Sequence, residues 1–346
     1  MNNSLKAFPK ALTLLFLLGL TVYVLSGKAL AVEQSVIEGA KGEGQMYLYT
    51  SWDLSKAVVV LQEFKKKYPF INTQIYRSKS IDLLNKIPQE TRSKRYTADA
   101  ITATFPIWND LKKGGYLMKY RSPETKSFPN NMRDPEDYWA VMYLQVQGMV
   151  YNTKLVPPQS APKKYEDLLD PRWKGKKIAM DYQEQPWYTV MLEILGDEKG
   201  ANFMKGLAKQ DLYLRDNKVL LTNLLAAGEF QILANSYMDT TMQLKKSGAP
   251  IDWVPGSNPI PAGTHLAGIY ANAPHPNSAK LYLDFLLSEE GQKILAKMGS
   301  AVPRPGIESE YSEKIKGYSI HPVNPSMMAQ YSSINKQFTE IFRPAK

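Results

Sequence analysis

Short β-rich runs alternate with amphipathic helical patterns from Gln45 onward, until one long β-rich run, Trp139 to Asn152, breaks the rhythm. Met46 to Thr50 is followed by a helix after Asp53 with Ala57, Val60, Leu61 and Phe64 on one face. Thr73 to Tyr76 is followed by a helix through Leu84 and Ile87, and Ala98 to Thr104 makes a third strand. Such alternation argues for a mainly parallel sheet with helices on both faces. The run from Trp139, with Gly148 inside it, is read as a first crossing from one lobe to another. A second unit follows: helix Tyr165 to Leu169, strand Lys177 to Asp181, helices Trp187 to Leu195 and Gly200 to Lys209, strand Leu212 to Arg215, helix Lys218 to Gly228 and strand Gln231 to Ser236. Asp252 to Val254 then leads through the Pro- and Gly-rich stretch Pro255 to Gly263 back toward the first lobe. Two strands crossing between two α/β lobes make a hinge, and a hinge makes a cleft that can close on a small ligand. The expected division is 32–146 and 257–306 for lobe one and 147–256 for lobe two. The tail, 307–346, is expected as short surface helices assigned to neither lobe.

The N-terminus carries Lys6 and Lys10, an apolar run from Ala11 to Leu25, and Ala29-Leu30-Ala31, the order of a secretory signal. Cleavage after Ala31 is expected, with an uncleaved anchor as the alternative; the apolar run falls short of the roughly 20 residues that span a bilayer. Removal of 1–31 leaves 315 of the 346 residues and takes away Lys6, Lys10 and Lys28, so the formal charge falls from +10 to +7. The chain has no cysteine. Disulfides, thiolate metal sites, a cysteine nucleophile and a lipid-bearing cysteine are thereby excluded.

The basic residues sit in short clusters (Lys65 to Lys67, Lys112 and Lys113, Lys174 to Lys177, Lys245 and Lys246) separated by carboxylates, the pattern of a solvated surface. No nucleic-acid partner is expected. His265, His275 and His321 lack metal-binding spacing. No G-x-S-x-G, G-x-x-x-x-G-K-[ST] or H-E-x-x-H is present, so hydrolase, nucleotide-hydrolysing and zinc-protease chemistry lack their minimum parts.

Ala273 to Leu295 reads A-P-H-P-N-S-A-K-L-Y-L-D-F-L-L-S-E-E-G-Q-K-I-L. Pro276 can open a helix with an apolar face of Ala279, Leu281, Tyr282, Leu283, Phe285 and Leu286, and Ser288 can cap a second helix whose dipole favours Glu289 and Glu290. This segment resembles a signature of extracellular solute-binding proteins of ABC importers, in the branch of the ferric-ion binding proteins. Y-P-F-I (Tyr68 to Ile71), Y-R-S (Tyr76 to Ser78), V-Y-N-T (Val150 to Thr153), D-L-L-D-P-R-W-K-G-K (Asp167 to Lys176) and K-S-G-A-P-I-D-W-V (Lys246 to Val254) resemble further segments of that family in the same order. The resemblance implies an α/β, two-lobed periplasmic binding protein type II fold: two mainly parallel sheets joined by a two-strand hinge. It also implies a periplasmic, monomeric binding protein that captures a small solute and delivers it to an ABC permease with its ATPase.

In open α/β sheets ligands bind beyond the carboxyl ends of the strands. That rule nominates Ser51 and Trp52 after the first strand, Arg77 and Ser78 after the second, Thr102 and Thr104 at the end of the third, and Asp181, Tyr188, Ser236 and Tyr237 in lobe two. Arg77 suits a bidentate grip on a carboxylate, phosphate or bound carbonate. Each nomination has a plainer alternative: helix capping for Ser51 and Asp53, a surface ion pair for Arg77, core packing for the aromatics. Ferric-ion binding relatives usually present two adjacent tyrosines after the strand matching Gln231 to Ala234, and one subgroup adds a histidine near the first strand. Here Tyr237 matches the first tyrosine, Met238 replaces the second, and Tyr49 to Asp53 contains no histidine. A ferric ion held as cargo by Tyr237 with carbonate or phosphate, and a small organic or phosphorylated anion held by Arg77, are both open. No resident cofactor and no catalysis are expected; the rivals are a periplasmic enzyme using Asp181 or Asp53 as acid or base, and a signal-anchored sensor.

Overall fold

The computed structural model describes residues 34–323 and 330–342. The expected secretory signal lies outside the described residues. A helix over 34–43 (α1) precedes β1 (Gln45–Thr50), α2 (Leu54–Lys67), β2 (Asn72–Arg77), α3 (Ser80–Arg92) and β3 (Ala100–Thr104). The buried residues of α2 are Ala57, Val60, Leu61 and Phe64, the stripe of an amphipathic helix, and Asp53 caps it by accepting from the Ser55 and Lys56 amides. Then α4 (Trp108–Lys113) and β4 (Leu117–Met118) lead to β5 (Ala140–Asn152). Beyond it come β6 (Ile178–Asp181), α5 (Gln185–Leu195), α6 (Asp197–Ala208), β7 (Tyr213–Arg215), α7 (Lys218–Ala227), β8 (Ile232–Tyr237), α8 (Met238–Lys246) and β9 (Ile251–Val254). The chain returns through β10 (Ile260–Tyr270), α9 (Pro276–Leu287), α10 (Glu289–Lys297), β11 (Ile320–Pro322) and α11 (Tyr331–Phe342).

Two sheets meet along the crossing strands, in the order β2-β1-β3-β10-β5-β8-β6-β7. β1 runs parallel to β2 and β3, and β6 runs parallel to β7 and β8. The antiparallel pairs all involve β5 or β10. The first half of β5, Ala140 to Val146, pairs with β10, and the second half pairs with β8 and β9. Its buried side chains divide accordingly: Val141, Met142 and Tyr143 join the core around Phe64, Trp108 and Phe285, whereas Met149 and Tyr151 join the core around Trp173, Trp187 and Phe203. Val146 and Val150 belong to a third cluster, with Leu233 and Trp253. The molecule is therefore two-lobed.

Several elements differ from their sequence expectation. The strand β10 begins at Ile260, inside the stretch expected to be Pro- and Gly-rich loop, because Ile260, Pro261 and Ala262 find pairing partners in β11, some sixty positions along the chain. The helix expected over Tyr165 to Leu169 is a 3₁₀ turn. Helices α1, α4 and α8 fall where the sequence pattern predicts no helix. Among its described residues the tail carries a twelve-residue helix, α11, which buries Ile334, Phe338 and Phe342 in the core that also holds Trp187 and Phe203. In α9 the six expected apolar residues are all buried, and the Ser288 hydroxyl accepts from the Gly291 amide at the start of α10.

Gly148 permits the close approach of β9 to β5. A Cβ there would stand 2.4 Å from the Val254 carbonyl oxygen and 2.5 Å from the Trp253 ring. Overpacking of this kind costs about 1–3 kcal/mol. Gly148→Val is expected to lower the unfolding free energy by that amount in urea titrations; a variant as stable as the parent would mean that β9 can withdraw without loss.

Candidate functional site

The carboxyl ends of the parallel strands in both lobes face one cleft of about 570 Å³. Ser51, Arg77, Lys79, Ser80 and Thr104 line one wall, following β1, β2 and β3 or opening α3. Gln145, Gln147, Gly263 and Thr264 of the crossing strands form the floor. Asp181, Gln183, Glu184, Gln185 and Tyr237 line the other wall, and Ser332 and Asn335 of α11 border it.

On the first wall three hydroxyls form a cluster. The Ser80 Oγ donates to Ser51 Oγ at 2.8 Å and lies 2.8 Å from Thr104 Oγ1, while the Thr104 amide donates to Ser51 Oγ at 3.2 Å. Ser80 is also the first residue of α3, whose amide-rich end favours negative charge. Beside them Arg77 is exposed; its Nε donates to the Trp52 carbonyl at 3.4 Å, and it has no carboxylate partner among the described residues. On the floor, a Cβ at Gly263 would lie 3.2 Å from Gln145 Oε1 and 3.4 Å from Gln147 Nε2, so glycine leaves room for both amides.

The second wall rests on a buried ion pair. Lys218 Nζ lies 2.7 Å from Glu184 Oε1, with side chains 3% and 8% exposed. Asn235 Nδ2 donates to the other Glu184 oxygen at 2.8 Å and to Gln147 Oε1 at 3.3 Å, which ties the pair to β5. Lys218 Nζ also sits 4.2 Å from the centre of the Tyr237 ring. Burial works against the Lys218 charge, but the Glu184 carboxylate outweighs it and holds the ammonium above the usual lysine range. Asp181 is different. Its Oδ1 accepts from the Gln183 amide at 2.9 Å, while burial first and the Glu184 charge second push its carboxyl up to about 6. Burial likewise raises the Tyr237 phenol, although Lys218 pulls the other way. Two ion pairs link the lobes beside the cleft, Lys79–Asp216 at 3.1 Å and Lys56–Asp239 at 2.7 Å.

Residues 97–316, well over half of the chain, match the family described as bacterial extracellular solute-binding protein. The chain belongs to that family. Iron uptake protein A2 of Synechocystis sp. is 25% identical over 252 residues, 65% of this chain and 70% of that protein. The fold is similar to iron-bound HitA from Pseudomonas aeruginosa, with a TM-score of 0.75 at 20% identity over 86% of this chain and 99% of HitA. It is equally similar to the periplasmic binding protein AfuA from Actinobacillus pleuropneumoniae with fructose-6-phosphate bound, with a TM-score of 0.75 at 19% identity over 87% of this chain and 99% of AfuA.

For this solute-binding chain, the structure places Ser51, Arg77, Thr104, Asp181 and Tyr237 on the cleft. It places the other five nominated residues elsewhere. Trp52 is buried, with its ring centre 5.6 Å from that of Tyr143. The Thr102 hydroxyl is buried one pleat deeper than Thr104 and donates to Thr50 Oγ1 at 2.7 Å. Ser236 points to the face opposite Tyr237, as strand alternation requires, and shares a hydrogen bond with Thr222 at 2.7 Å. Tyr188 is buried and donates to Gln337 of α11 at 3.2 Å. Ser78 donates to Asp82 at 2.7 Å, where it serves the start of α3. Asp53 is occupied by its cap on α2.

Several cleft residues escaped sequence reasoning although signals existed. Gln145 and Gln147 interrupt an otherwise apolar strand at a spacing of two, which puts both on one face. Lys218 opens a helix made mostly of Val, Leu and Ala, a poor place for a solvated charge.

The raised Asp181 carboxyl sets a pH dependence. Between about 4 and 6 the folded protein binds more protons at this position than the unfolded chain, so stability falls as pH rises through that window, and the cost is fully present at pH 7. Ligand-free Asp181→Asn is expected to be more stable than the parent at pH 7.5 by on the order of 2 kcal/mol, the advantage vanishing below about pH 4. Denaturation curves from pH 4 to 8 check this; parallel curves for the two proteins would show that Asp181 ionises without cost. Lys218→Met leaves the Glu184 charge buried and alone, and is expected to cost about 3–5 kcal/mol in the same assay, part of it regained by adding Glu184→Leu.

Proposed function

We propose that the protein captures a small acidic organic solute, such as a phosphorylated compound, between its lobes in the periplasm and delivers it to an ABC-type permease with its ATPase. The observation that carries this reading is the Ser51–Ser80–Thr104 hydroxyl cluster at the start of α3 with Arg77 beside it. Hydroxyl and amide donors, a helix N-terminus and a guanidinium are the partners that a phosphate or carboxylate group needs. The likeness to AfuA with its bound sugar phosphate supports the same class. We take 32–146 and 257–306 as lobe one and 147–256 as lobe two, and add α11 to lobe two because it packs in that core. Cleavage of 1–31 would release the chain into the periplasm; no helix among the described residues is long and apolar enough to cross a membrane.

Ferric iron, held with carbonate or phosphate, is the second reading. The likeness to an iron uptake protein and to iron-bound HitA supports it, as does Tyr237 on the cleft wall. The donor chemistry favours the anion. Tyr237 has a phenol that resists ionisation and an ammonium 4.2 Å from its ring, and among the described residues no three His, Cys, Asp or Glu side chains gather as a metal site.

Titration calorimetry with inorganic phosphate, small phosphorylated organic compounds and ferric citrate tests the choice. Phosphorylated compounds are expected to bind, with roughly a 10- to 100-fold loss in Arg77→Ala and in the triple variant Ser51→Ala, Ser80→Ala, Thr104→Ala, the scale of one or two charge-assisted hydrogen bonds. Binding of ferric citrate alone, lost in Tyr237→Phe, would replace this reading by the second. Unchanged compactness in solution scattering with saturating ligand would remove closure from either.

A further inference from the structure

The unmatched charges of the cleft include a cation on the lobe-one wall, Arg77, and a buried carboxylate on the lobe-two wall, Asp181. On the lobe-one wall Arg77 is an exposed guanidinium without a carboxylate partner among the described residues, set beside three hydroxyls. Lys79 lines the same wall, but its charge is matched by Asp216 at 3.1 Å. Across the cleft, Lys218 is spent on Glu184 at 2.7 Å. Asp181 has no such match. It is 6% exposed, accepts one amide hydrogen bond through Oδ1, and forms no ion pair among the described residues. Asp110, exposed on α4, is a second lining carboxylate without an ion pair among them. The charged side chains lining the cleft are Arg77, Lys79, Asp110, Asp181 and Glu184; once the matched pairs are set aside, Arg77 and Asp110 remain on the lobe-one side and Asp181 on the lobe-two side.

A plain anion would satisfy Arg77 and leave Asp181 facing more negative charge. A ligand with a positive group on its far end would satisfy both walls. We propose that the solute is zwitterionic, with its acidic group held by Arg77, Ser51, Ser80 and Thr104 and a protonated amine held by Asp181 across the cleft. This rests on the reading of the lobe-one wall as an acid-group cradle. The ionised Asp181 is costly in the empty cleft, because burial and Glu184 both oppose its charge. An ammonium placed against it removes that cost on binding, which an uncharged hydroxyl cannot do to the same degree. The amides of Gln183 and Gln185 on the same wall supply hydrogen-bonding groups without adding charge.

Matched pairs that differ by one amine test the assignment: ethyl phosphate against O-phosphoethanolamine, and glucose 6-phosphate against glucosamine 6-phosphate, titrated calorimetrically at pH 7.5. In at least one pair the amine is expected to bind tenfold or more tightly. That ratio is expected to fall to about one in Asp181→Asn, which keeps the acceptor for the Gln183 amide, and to persist in Asp181→Glu, which keeps the charge. Thermal unfolding of each variant reports whether it is folded. Equal affinity within both pairs for the parent protein overturns the zwitterion and leaves the acid-group cradle standing. Binding by neither member of either pair overturns the cradle and this inference with it. A preference that survives in Asp181→Asn overturns the role of Asp181.

Discussion

Everything in this molecule hangs on the antiparallel ladder between β5 and β10. β5 belongs to both sheets and β10 holds it in the sheet of lobe one, so neither sheet is complete without β5. β5 pairs with β10 through Ala140 to Val146 and then with β8 and β9, changing partners without a break in the strand. The change of partner happens at Gln145 to Gly148, and the two glutamines there are the cleft floor. The backbone that hinges the lobes therefore also presents ligand-facing side chains, and Gly263 on β10 keeps the space above them open.

Charge placement follows from that arrangement. The Glu184–Lys218 pair is buried under the second wall, where an unmatched charge would be several kcal/mol more expensive than a matched one. Asn235 of β8 and Gln147 of β5 extend the pair to the crossing strands, so the wall and floor form one hydrogen-bonded unit. Asp181 stands next to this network without an ion pair to it. Burial first and the Glu184 charge second keep the Asp181 carboxyl displaced toward its protonated form, and Lys218, spent on Glu184, offsets this only in part.

Much of the fold was legible in the residues because local and global preferences agree. The α2 stripe Ala57, Val60, Leu61 and Phe64, the capped α9–α10 pair and the alternation of strands all follow from periodicity and capping chemistry. Of the residues nominated by the carboxyl-end rule, Ser51, Arg77, Thr104, Asp181 and Tyr237 lie on the cleft, because strand ends can be located to within a residue or two. The rule also returned Trp52, Thr102, Ser236, Tyr188 and Ser78, since proximity to a strand end does not fix which face or depth a side chain takes. What could not be read locally depends on distant partners: β10 starts early because β11 pairs with it, and α11 reaches the cleft because Phe338 and Phe342 pack with residues more than a hundred positions earlier.

The two inter-lobe ion pairs differ in their surroundings. Lys56 and Asp239 are 21% and 16% exposed, whereas Lys79 and Asp216 are 61% and 37% exposed. Mobile ions reach an exposed pair far more readily than a sheltered one. Rising ionic strength would therefore weaken the Lys79–Asp216 link between the lobes well before the Lys56–Asp239 link, so the two would not yield together.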